Sequence, residues 1–104
     1  MVPGSEFRGE KMLEKTIEKK LVEAVRREGG RAFKLVCPGF DGMPDRMLLM
    51  PYGKIAFVEV KAPGKKPRPL QKSRHEMLRH LGFQVYVLDS IEQIGGIIDA
   101  VCAT

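Results

Sequence analysis

Apolar residues return along this chain with two different periods. From Met12 to Glu28 the residues Leu13, Ile17, Leu21, Ala24 and Val25 recur every three or four positions, which is the spacing of one helix face. Gly29-Gly30 ends that run, as glycines after a helix do. The period then shortens. Arg31 to Cys37 reads as a strand through Ala32, Phe33, Leu35 and Val36, with Lys34 interrupting it. A loop of turn residues follows from Pro38 to Pro44. Arg46 to Met50 and Lys54 to Lys61 are the next two strands, and the short turn Pro51-Tyr52-Gly53 makes them an antiparallel hairpin. Ile55-Ala56-Phe57-Val58 is apolar without a break, the signature of a strand covered on both faces.

Ala62 to Pro69 contains three prolines and is therefore a loop. Leu70 to Leu81 is the second helix, stopped by Gly82, with Leu70, Met77, Leu78 and Leu81 as its inner stripe. Gln84 to Asp89 is a fourth strand. Ser90 with Gln93 fits a capping box, and Ile91, Ile94, Ile97, Ile98 and Val101 carry a third helix past Gly95-Gly96. The order αβββαβα is an α/β arrangement. Its strand-helix-strand segment calls for one parallel pair with a crossover, so a mixed central sheet flanked by helices on both faces is expected.

The first eleven residues read as a vector-derived leader. Gly4-Ser5-Glu6-Phe7 is what two adjacent cloning sites encode, and Met12 is taken as the natural start. Residues 12–104 then form one domain. That length can bury roughly two-thirds of its unfolded surface without a disulfide or zinc. Cys37 and Cys102 form no CxxC pair and read as small core residues in a reducing, cytoplasmic compartment. No apolar run approaches the roughly 20 residues of a membrane span. Eighteen Lys+Arg against thirteen Asp+Glu give a net charge of +5, which favours a polyanionic partner without proving one.

The candidate chemistry lies between Asp45 and Lys61. Pro44-Asp45 is followed by thirteen residues and then by Glu59-Val60-Lys61. Residues i and i+2 of a strand share a face, so Glu59 and Lys61 emerge together, and the hairpin can bring Asp45 beside them. Carboxylates supply hard oxygen ligands for Mg²⁺, and a lysine supplies a cation near a phosphate and an attacking water. A salt bridge at the sheet's rim is the plainer alternative, and the pattern alone leaves it open. Among the first-helix acids, Glu18 rather than Glu14 is the candidate to reach the site, because it adjoins Ile17 and Leu21 in mid-helix. Glu23 reads as solvated. Lys34 and the basic loop residues Lys65, Lys66 and Arg68 are candidate phosphate contacts. Gln71, Arg74 and His75 lie near a helix start, where backbone N–H groups favour anions. His75 and His80 lack ligand spacing and read as surface residues.

Three blocks in order sharpen this. They are Pro38-Gly39-Phe40-Asp41-Gly42-Met43-Pro44-Asp45-Arg46, then Phe57-Val58-Glu59-Val60-Lys61-Ala62-Pro63-Gly64, then Pro69-Leu70-Gln71. Together they resemble the VRR-NUC (virus-type replication-repair nuclease) domain of the PD-(D/E)XK superfamily, from about Met12 to about Gln93. The resemblance implies a restriction-endonuclease-like core and a Mg²⁺-dependent DNA endonuclease, with Mn²⁺ as a substitute. It also implies Holliday-junction-like substrates and a homodimer. Asp45 and Glu59 correspond to metal ligands and Lys61 to the catalytic lysine. Glu18 corresponds to the first-helix acid, and Gln71 to the glutamine that starts the helix after the lysine strand. The Val60 carbonyl, lying between two functional side chains, joins the expected ligands. Lys34, Lys65, Lys66, Arg68 and Arg74 are the expected DNA contacts. A non-catalytic nucleic-acid-binding module is the alternative reading.

Overall fold

A computed structural model describes residues 3–104, and side chains from Leu13 onward. Helix α1 (Pro3–Arg27) is followed by β1 (Arg31–Lys34), β2 (Arg46–Met50), β3 (Lys54–Val60), α2 (Pro69–His80), β4 (Gln84–Leu88) and α3 (Ile94–Cys102). Two single 3₁₀ turns, Pro51–Gly53 and Ile91–Gln93, join β2 to β3 and open α3. The helical backbone begins at Pro3 and so runs through the segment set aside as a leader. Proline fits a first helical turn, where its missing N–H has no partner to lose.

The sheet is ordered β1-β2-β3-β4. β1 with β2 and β2 with β3 are antiparallel, and β3 with β4 is parallel. The mixed sheet and the αβββαβα order match the sequence expectation. β1 is shorter than the apolar run suggested. Its chain turns away after Lys34, although the Leu35 N–H still donates to the Asp45 carbonyl at 2.8 Å.

Alternation splits the sheet's side chains between two cores. Leu48, Met50, Ala56, Val58, Val60 and Leu88 pack against Ile17, Leu21 and Val25 of α1 and Ile94, Ile97, Ile98 and Val101 of α3. The opposite face carries Phe57 and Val85 against Leu78 of α2, with Met43, Met47 and Met77 beside them. Phe83 meets Phe57 edge to face at 5.6 Å.

Three packing expectations need correction. Leu13 is half exposed, so the α1 stripe begins at Ile17. Leu70 and Leu81 are also exposed, and the buried residues of α2 are Gln71, His75 and Leu78. Successive steps of four and three place those residues on one helix face, so α2 turns a partly polar face to the sheet. Cys102 is exposed and Cys37 only partly buried, so neither is a core residue.

Candidate active site

The register places the two acids side by side. Arg46 pairs with Val58 across the antiparallel ladder, so Asp45 falls opposite Glu59 one step beyond. Directly opposed residues in such a ladder hold their Cβ atoms about 4.5–5.5 Å apart on the same face. The Asp45 carboxylate Oδ2 accepts the Val60 N–H at 2.8 Å, which ties the start of β2 to the end of β3. The preceding loop holds Asp45 there. Pro44 is buried, and Gly42 at φ 89° lies so close to α2 that a Cβ would stand 2.9 Å from Leu70 Cγ. Arg74 fastens the same loop from above: its guanidinium stacks 3.8 Å from the Phe40 ring centroid, and its Nε donates to the Asp41 carbonyl at 2.7 Å.

Glu59 is the centre of the arrangement and is 1% exposed. Its Oε2 receives the Gln71 Nε2–H at 3.3 Å and stands 3.8 Å from Lys61 Nζ. Its Oε1 faces His75 Nε2 at 3.5 Å, and both of those atoms are buried without a hydrogen-bond partner. Burial, and next the charge of Asp45 within hydrogen-bonding reach, push the Glu59 carboxyl up to about 8, against the pull of Lys61. Burial and a neighbouring guanidinium, Arg79, lower the His75 ring.

The structure brings Glu14 into this group. Burial raises its carboxyl first, followed by the charge of Asp45, while Lys61 lowers it. Glu14 also contributes to the field at Glu59. Glu18 instead accepts from Arg46 Nε at 2.8 Å, and that guanidinium also donates to the Ala32 carbonyl. Glu14 and Glu18 share one side of α1, four residues apart, and periodicity alone gives no ground for choosing between them.

Gln71 serves two elements at once. Its Oε1 accepts the Arg68 N–H at 2.8 Å at the start of α2, and its Nε2 reaches Glu59. His75, expected at the surface, is 2% exposed and stands one helical turn after Gln71. The signal that could have found it is that i+4 spacing from a site residue. His80 is exposed, as expected.

The oxygen-rich set suits a hard divalent cation. The orphaned Glu59 oxygen and the mutual repulsion of Asp45, Glu59 and Glu14 are what a bound cation relieves. Among the described residues no group of three or more Asp, Glu, His or Cys side chains is placed to hold a metal ion by itself. A cage is not needed for Mg²⁺, which usually keeps several waters and takes only one or two protein carboxylates.

The expected DNA contacts separate by position. Lys65 and Lys66 line an open groove of about 450 Å³ with Lys72, His75, Arg79 and Asp89. Lys72 and Arg79 were not singled out in the sequence. Arg68 is exposed beside this groove at the start of α2. Lys34 pairs with Arg46 in the ladder and so stands on the α1 side of the sheet, away from Glu59. Arg74 is engaged with the Phe40–Asp41 loop.

Comparison with known proteins identifies the family and the fold. Residues 7–92 match the VRR-NUC domain family. A protein of Acyrthosiphon pisum secondary endosymbiont phage 1, "Putative nuclease p44", is 53% identical over 88 residues, covering 85% of this chain and 94% of that protein. A solved structure named "VRR_NUC domain" superimposes with a TM-score of 0.78 at 36% identity, covering 83% of this chain and 94% of its own.

Proposed function

Because this chain belongs to the VRR-NUC family, we propose that it is a nuclease that hydrolyses DNA phosphodiesters with the help of Mg²⁺ or Mn²⁺. The observation that carries this reading is the register of Asp45 opposite Glu59, with the Lys61 ammonium 3.8 Å from Glu59 Oε2. Asp45, Glu59 and the Val60 carbonyl would hold the ion, with Glu14 nearby to hold it through water. When bound, such a cation polarises the scissile phosphate and lowers the pKa of a coordinated water.

The protein's own groups do the rest. Lys61 aligns the attacking water and offsets negative charge on the phosphate as it develops. Gln71 restrains the Glu59 carboxylate. Lys65, Lys66, Lys72 and Arg79 line a groove along which a phosphate backbone can lie, a contact that is salt-sensitive and largely blind to sequence. Arg68 adds a cation at its edge, and Lys34 reaches DNA only where the duplex wraps toward α1.

The substrate we favour is branched, Holliday-junction-like DNA cut by a homodimer. A junction offers paired strands, and two sites related by a two-fold axis match them. The sheet supports a second copy: Phe33, Leu49 and Ile55 lie on the same face as Phe57, which α2 covers only in part, and all three are exposed. No helix among the described residues is long and apolar enough to cross a membrane.

Incubation with labelled junction, flap and linear DNA, with Mg²⁺ or with EDTA, tests this function. Cleavage should require the metal and should vanish in Lys61→Ala while DNA binding persists. Unchanged cleavage by that variant overturns the role of Lys61. DNA binding without cleavage in the parent chain would instead favour a non-catalytic module, and a strictly monomeric sedimentation profile would remove the junction-resolving dimer.

A further inference from the structure

His75 is buried on α2, outside the two apolar clusters. Its Nε2 stands 3.5 Å from Glu59 Oε1, and neither atom has a hydrogen-bond partner. Two such atoms facing each other are costly to leave apart, because each has given up water and received nothing in return. A small rotation of either side chain closes the gap. A carboxylate oxygen accepts from an imidazole N–H in a charge-assisted bond. The other Glu59 oxygen is already approached by Gln71 Nε2 and Lys61 Nζ. The carboxylate therefore has a donor on one oxygen and a prospective donor on the other.

We infer that His75 is a positioning residue: its Nε2–H grips Glu59 Oε1 and sets the plane in which that carboxylate is offered to a divalent cation. The inference rests on the nuclease reading above and adds a residue to it. In this role His75 is not itself a ligand of the cation. It acts through Glu59, as outer partners of metal ligands do when they fix orientation and raise affinity. Its place in the fold fits that task. Gln71 and His75 are one helical turn apart, so α2 brings two donors to one carboxylate, and Gln71 Oε1 anchors the start of that helix on the Arg68 N–H.

Groups around His75 constrain what it can be. Arg79, four residues on, and Lys61 both bring positive charge to the ring, and Asp45 brings negative charge. A neutral ring carries one N–H, and the inference requires that proton on Nε2 when the cation is bound.

Calorimetric titration of the whole chain with Mn²⁺ tests it through three proteins. His75→Leu keeps the volume and removes the donor. His75→Gln carries an amide N–H close to the position of Nε2. Leucine should weaken Mn²⁺ binding by about tenfold or more, and glutamine should recover most of that loss. Equal affinity of the parent and leucine proteins overturns the inference, as does equal weakening in both variants, which would mark His75 as a packing residue. If the leucine protein fails to fold, ¹⁵N shifts of the His75 ring in the Mg²⁺-loaded parent chain decide the matter. A proton on Nε2 supports the grip, and a proton on Nδ1 alone overturns it. Absence of Mn²⁺ binding in the parent chain would sink both this inference and the metal-dependent function, whereas a variant result sinks only the role of His75.

Discussion

Gln71 donates to Glu59 Oε2 at 3.3 Å with one end of its amide and accepts the Arg68 N–H at 2.8 Å with the other. One side chain thus starts a helix and restrains a candidate metal ligand. Gln71→Ala should remove both, costing about 1 kcal/mol of stability through the lost cap and about 10- to 100-fold in cleavage rate through the loosened carboxylate. Gln71→Glu keeps an acceptor for the Arg68 N–H but buries a like charge beside Glu59, so near neutral pH it should be no more stable than the alanine variant, while cleavage falls at least as far. Thermal unfolding and cleavage rates measured on both variants check this. Parental turnover in Gln71→Glu would show that the contact with Glu59 does not matter.

The two first-helix acids should part company on substitution. Glu14 shares the electrostatic field of Asp45, Lys61 and Glu59, whereas Glu18 is bonded to Arg46 at 2.8 Å. Glu14→Gln should weaken Mn²⁺ binding and slow cleavage about tenfold, with little loss of stability, because it removes a repulsive charge. Glu18→Gln should cost about 1 kcal/mol or less, the usual worth of a partly exposed ion pair, with a smaller effect on cleavage. The reverse pattern, with Glu18→Gln inactive and Glu14→Gln unaffected, would return the site acid to Glu18.

The hairpin turn offers a test of stability alone. Tyr52 has φ 66° and is 96% exposed, so its side chain packs on nothing and its backbone occupies the left-handed region. Asparagine visits that region far more readily than an aromatic residue does. Tyr52→Asn should therefore stabilise the fold by about 0.5–1 kcal/mol, read as a rise in thermal midpoint with unchanged cleavage. A lower midpoint would mean that the ring makes a contact in the assembled protein.

Much of the architecture was legible because each strand carried its own period and each helix its own stop. Gly29-Gly30, the three prolines of the 62–69 loop and Gly82 bounded elements to within a residue or two. The pairing of Asp45 with Glu59 was legible too, since a short hairpin turn fixes register. The family resemblance rested on three blocks in order, and the match over residues 7–92 bears it out. What stayed hidden depended on contacts between elements. Leu70 and Leu81 look like core residues of α2, yet the helix rolls so that Gln71 and His75 face the sheet, because a buried carboxylate on β3 needs donors. The choice between Glu14 and Glu18 turns on Arg46, a residue 28 positions away from Glu18. Lys34 changes its meaning once pairing with Arg46 puts it on the α1 side. A single sequence holds no local signal for any of these.

Glu59 should make the stability of the metal-free protein fall as pH rises. Its carboxyl is pushed from an ordinary 4.5 up to about 8 in the folded chain, first by burial and then by Asp45. The folded state therefore holds this proton more tightly than the unfolded one. The contribution is fully present below about pH 4.5, shrinks as the unfolded chain ionises, and is lost once pH passes about 8. Glu59→Gln removes the ionisation and keeps the shape. In EDTA at pH 8.5 that variant should be more stable than the parent by about 1–3 kcal/mol, since it no longer buries a charge beside another carboxylate. At pH 4 the two proteins should nearly coincide. Mg²⁺ should restore the parent's stability at pH 8.5 and leave the variant unmoved, because a cation can replace the proton only where a carboxylate can form. Chemical unfolding curves at the two pH values, with and without Mg²⁺, provide the measurement. A parent protein whose stability is flat from pH 5 to pH 8.5 in EDTA would mean that Glu59 is ionised throughout, with Lys61 and Gln71 compensating it without any metal.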